Sequence, residues 1–130
     1  MSIPSELLAS ITRGMAPDGG NASAADALRV WHALFARFDL LLGPLSTALL
    51  FARTLDKHAH AFSWLPQGGQ AQTAFARFAH CLDGRASDDI LAVNRVLLAH
   101  YTGELADLIG ASLATRLLRT TFPPDGAREE

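Results

Sequence analysis

Leu40-Leu41-Leu42-Gly43-Pro44-Leu45-Ser46-Thr47-Ala48-Leu49-Leu50-Phe51-Ala52 is the longest apolar stretch of the chain, and a Gly-Pro pair interrupts it. Proline has no amide donor and its ring clashes with the preceding turn, so one helix does not run straight through. The residue ahead of a proline is pushed out of the α region, which makes Gly43 a corner. Pro44 then suits the first turn of a second helix, where its missing donor would be unpaired in any case. The stretch reads as the elbow of a helical hairpin buried in the core.

The flanks agree with helix. The chain has 130 residues, of which 23 are Ala and 21 Leu, against 3 Val and 4 Ile. That composition favours helix on propensity and gives strands little support. Ahead of the elbow, a helix from about Ser23, a suitable N-cap, to Leu42 carries Leu28, Trp31, Leu34, Phe35, Phe38, Leu41 and Leu42 on one face. Behind it, a helix over residues 44–61 places Leu45, Leu49, Ala52, Leu55, Ala59 and Phe62 on its inner stripe, widened by Leu50 and Phe51.

Further out, Ile3, Leu7, Leu8, Ile11 and Met15 make one stripe of a first helix. The connector at 16–22 is flexible by composition, so this helix is expected to be loosely tethered or to dock on another chain. Ala74, Phe75, Phe78 and Leu82 line a fourth helix, and Gly84 ends it. Ser87, Asp88 and Asp89 then start a fifth, carrying Ile90, Leu97, Leu98, Tyr101, Leu105 and Leu108. Gly110 is a second corner, and a sixth helix buries Leu113, Leu117 and Leu118 while exposing Arg116 and Arg119. The expected fold is all-α, a compact antiparallel bundle of five or six helices. It forms one domain over residues 1–122, with helix one at 3–15 and a disordered tail at 123–130.

The two corners invite a comparison. At an offset of 67, Leu41, Gly43, Leu50 and Thr54 match Leu108, Gly110, Leu117 and Thr121. A pair of related hairpins and two independent corners that both need Gly are both open on four matches in a Leu-rich alignment.

Charge and motifs exclude more than they assign. A formal charge of −2 argues against a sequence-independent nucleic-acid binder. No apolar run approaches the roughly 20 residues that span a bilayer. The single Cys81 excludes an intramolecular disulfide, and with no secretory pattern at the N-terminus the expectation is a cytoplasmic protein. His58 and His60 are two apart and point away from each other on a helix, while His100 and Glu104 share a face but are two ligands where a metal needs three or four. No cofactor or metal is expected, and no catalytic constellation is present.

Ala79-His80-Cys81-Leu82-Asp83-Gly84 resembles the Ala-His-x-Leu-Lys-Gly motif of histidine phosphotransfer domains. The resemblance implies a helical bundle whose exposed His80 accepts a phosphoryl group. Asp83 stands where that family has Lys, and an acid there repels the incoming group. The run from Leu108 to Arg119, with the central Leu-Gly, Ala-Arg-Thr-Leu and Phe-Ser-Trp-Leu segments, is similar to uncharacterised short helical proteins of proteobacteria. That similarity implies helices and a bacterial setting, with no catalytic residue to carry over.

The first functional expectation is therefore a non-enzymatic interaction or regulatory module, binding a protein partner or itself. Its candidate contact residues are Trp64 and Leu65 in an apolar loop and the basic pair Arg116 and Arg119, beside Arg128. The alternatives are phosphotransfer through His80, and a small apolar ligand held among Trp31, Phe35, Phe51 and Phe62.

Overall fold

The computed structural model describes residues 3–16, 21–66 and 70–122. They form six helices: α1 (Ser5–Arg13), α2 (Ala24–Leu42), α3 (Pro44–His58), α4 (Ala71–Leu82), α5 (Ser87–Ile109) and α6 (Ala111–Thr121). The fold is an all-α bundle. The expected tail at 123–130, Arg128 with it, lies outside the described residues, as does part of the connector at 16–22.

Local chemistry sets the ends. The Ser23 hydroxyl oxygen accepts from the Asp26 amide at 3.1 Å, satisfying one of the orphan donors that open α2. Arg29 closes on the Asp26 carboxylate at 2.6 Å. At the elbow, Gly43 adopts φ 91°, ψ 146°, and it is both the last cap of α2 and the first cap of α3. Its amide donates to the Asp39 carbonyl at 2.9 Å, and its carbonyl accepts from the Thr47 amide at 3.2 Å. One residue thus ends one helix, turns the chain and starts the next.

The core centres on Trp31, which is fully buried. Its indole meets Phe35, Phe51, Phe78 and Tyr101 at centroid distances of 5.0 to 6.5 Å, three of them edge to face. Its Nε1 donates to Asn94 Oδ1 at 2.7 Å, and Asn94 Nδ2 donates on to the Ile90 carbonyl at 2.8 Å.

Three expectations change. α1 is not loose: Ile3, Leu7, Ile11 and Met15 are all buried, and the helix packs on α5 of its own chain. On α3 the expected stripe holds at Leu55 and Ala59 and at the widening Leu50 and Phe51, all buried, but its start does not: Leu45 and Leu49 are 57% and 48% exposed, and Thr47 and Thr54 face the core instead. Threonine counts as polar in a hydropathy reading, but Thr54 Oγ1 donates to its own helix at the Leu50 carbonyl (2.9 Å) and so enters the core satisfied. Nor is the elbow buried: Leu40 is 83% exposed and Leu41 48%. Smaller departures follow in α5 and α6, where Leu108 is exposed, Leu113 and Leu117 are half-buried, and Ala114 takes the central place beside Leu118.

The burial register repeats at the offset of 67. Ala27, Val30, Trp31, Leu34 and Phe38 of α2 are buried, and so are Asn94, Leu97, Leu98, Tyr101 and Leu105 of α5. Leu7, Ile11 and Met15 correspond in the same way to Ala74, Phe78 and Leu82. Thr47 and Phe51 of α3 correspond to Ala114 and Leu118 of α6. The two corners share one backbone, with Gly110 at φ 96°, ψ 140°. The halves α1–α2–α3 and α4–α5–α6 share one plan, and they interlock: α3 packs on α5, and α6 packs on α2.

Candidate functional site

All five exposed large apolar side chains among the described residues flank the two corners. Leu40, Leu41, Leu45 and Leu49 surround Gly43-Pro44, and Leu108 precedes Gly110. The internal correspondence shows how unequal the corners are. Where the first half exposes Leu40, Leu41, Leu45 and Leu49, the second has Asp107, Leu108, Ser112 and Arg116. The corner itself therefore does not require four exposed leucines.

Beneath the first corner, α2, α3 and the start of α4 line a half-open pocket of about 140 Å³. Phe35, Phe51 and Phe75 wall it, with centroids 5.0 to 5.6 Å apart and planes 69° to 88° from one another. Asp39 and Thr47 supply its polar side, and Gln72 stands at its edge. The Thr47 hydroxyl donates to the Asp39 carboxylate. The Tyr101 hydroxyl donates to the Thr47 carbonyl at 3.3 Å. Burial pushes the Tyr101 phenol well above the ordinary tyrosine range, and the Asp39 charge adds to the shift.

A second polar group lies at the far end of α3. His58 and His100 meet edge to face with centroids 5.0 Å apart, and His100 Nε2 lies 3.5 Å from Glu104 Oε2. His58 Nε2 is buried without a hydrogen-bond partner. Desolvation holds the His58 pKa below the usual histidine value, with His100, His60 and Lys57 adding to it in that order. Among the described residues no three His, Cys, Asp or Glu side chains are grouped to hold a metal ion. No helix there is long and apolar enough to cross a membrane.

The residues expected to carry function are dispersed. Leu65 is 4% exposed and belongs to the core, so it offers no contact surface. Trp64 is half-buried, with the Arg85 guanidinium 4.3 Å above its ring. Arg116 is exposed on α6, and Arg119 reaches Glu6 of α1 only at 4.0 Å. His80 is exposed in the last turn of α4, which ends two residues later at Leu82 with Asp83 as its C-cap. Of the four aromatic residues suggested for a ligand, Trp31 and Phe51 fill the core, Phe35 borders the pocket, and Phe62 lies apart beside Trp64. The Asp39–Thr47 pair was not singled out from sequence; the signal was an Asp eight residues before a Thr across a corner that needs Gly.

No family model matches the chain, and no match was found among curated proteins or solved structures.

Proposed function

We propose that this protein is a non-enzymatic interaction module that docks through the leucine surface at its first corner. The supporting observation is the inequality of the corners: Leu40, Leu41, Leu45 and Leu49 stand exposed where the equivalent turn carries Asp107, Leu108, Ser112 and Arg116. Exposed apolar groups concentrated in one place mark interaction surfaces more often than solitary ones do. The natural occupant is another helical apolar face, and a second copy of the chain is the simplest such partner. The same reading sets the module in the bacterial cytoplasm, in keeping with one unpaired cysteine, Cys81.

Sedimentation velocity over a range of concentrations tests self-docking. The wild type is expected to associate, and Leu40→Ser/Leu45→Ser/Leu49→Ser to remain monomeric with an unchanged melting temperature. A wild type that stays monomeric throughout overturns the self-docking form. A photo-crosslinking residue placed at position 45 in cells then decides the wider reading, which fails if no protein is captured.

A further inference from the structure

We propose that the pocket beneath the first corner binds a small organic monocation, a primary ammonium on a compact apolar body, with the Asp39 carboxylate as its counter-ion. Three observations converge on this class. The first is charge. Among the described residues Asp39 has no ion pair, and its carboxylate takes the Thr47 hydroxyl, so it faces the pocket with its negative charge uncompensated. An anion or a second carboxylate is repelled there, whereas a cation is attracted.

The second is the remaining wall. Phe35, Phe51 and Phe75 supply aromatic surface on which both an ammonium group and an apolar body are favourable. The space, about 140 Å³, is close to that of an engineered protein cavity, roughly 150 Å³, that takes benzene, so the body is limited to about six to eight heavy atoms.

The third is the other half of the molecule. Asp39, Thr47, Phe35 and Phe51 correspond at the offset of 67 to Ala106, Ala114, Thr102 and Leu118. All four of those are buried. The second half closes the same helix–corner–helix plan with small and aliphatic side chains and no carboxylate. The aspartate and the aromatic wall are thus additions to the plan, and neither is needed to make the turn.

Benzylammonium is the probe and benzyl alcohol its neutral counterpart, each titrated into the full chain and followed by amide shifts at Phe35, Asp39, Thr47 and Phe75. The wild type is expected to show saturable shifts with benzylammonium, at least tenfold tighter than with benzyl alcohol. Asp39→Asn keeps an acceptor for the Thr47 hydroxyl and removes the charge. It is expected to lose that tenfold preference while still taking the alcohol. Ala48→Leu, which fills the pocket and leaves Asp39 in place, is expected to abolish both. Equal affinity for the two probes, no saturable shift with either, or undiminished ammonium binding in Asp39→Asn overturns the proposal. These outcomes are separate from the association state, so loss of one reading leaves the other standing.

Discussion

Asn94 shows what a single polar side chain does in this core. It is fully buried, accepts the Trp31 indole N–H and returns its own amide hydrogen to its helix at Ile90. Replacing it with Leu leaves the indole donor buried without a partner, and an orphaned donor costs about 1–3 kcal/mol. Asn94→Leu should therefore lower the urea midpoint, with the buried Trp31 emission reporting the transition. His58 makes the opposite case, a polar atom already without a partner. Because its folded pKa lies below the ordinary value of 6.5, the unfolded chain binds the proton more readily than the folded one. Stability is then full above about pH 6.5 and is lost as pH falls through the folded-state pKa. The melting temperature should decline across that window, and His58→Phe should flatten the decline. Asp26, whose pKa is lowered by the Ser23 hydroxyl and then Arg29, loses its contribution as pH falls below its ordinary 3.8. Neither Asn94 nor His58 could be placed from sequence. Their partners lie 63 and 42 positions away, and only helix packing brings them together.

At the scale of the helices, the corner was legible because its chemistry is local. A Gly-Pro pair between apolar runs predicts a turn, and Gly43 has the positive φ that such a turn needs. The face of α3 was less legible for an equally physical reason. Its buried stripe alternates leucine with Thr47 and Thr54, whose hydroxyls are satisfied by neighbouring groups, so hydropathy alone misplaced the start of the stripe. Gly43 and Gly110 provide a matched test. A Cβ at either meets nothing within 4 Å, so a substitution there is opposed by backbone strain and not by crowding. A non-glycine residue in that region of φ/ψ costs of order 1–3 kcal/mol. Gly43→Ala and Gly110→Ala should each destabilise by about that amount, and by similar amounts, in urea denaturation. A much larger loss at one corner would mean that its backbone does more than turn the chain.

The recurrence at an offset of 67 is a property of the whole molecule, and it was nearly invisible in residue identities. Trp31 corresponds to Leu98, Leu34 to Tyr101, and Ile11 to Phe78. What recurs, most fully between α2 and α5, is which positions are buried, since a core constrains volume and polarity far more tightly than it constrains identity. The interlock gives the recurrence a thermodynamic consequence. Trp31 of the first half finds its hydrogen-bond partner and two ring contacts, Phe78 and Tyr101, in the second. α3 and α6 each lie on a helix of the opposite half, so cutting between the halves exposes the buried faces of α2, α3 and α5 together. The helices are 9 to 23 residues long, and most of the stability of such a helix in a protein comes from a packed apolar face. Residues 1–66 and 67–130, expressed separately, should therefore show weak helical circular dichroism and no cooperative melting. Mixed in equal amounts, they should recover helix and a sigmoidal transition, because every cross-half contact is noncovalent and the break falls in the connector after Pro66. A first half that folds cooperatively alone would show that the elbow hairpin carries a sufficient core of its own, and that the interlock is incidental to its stability.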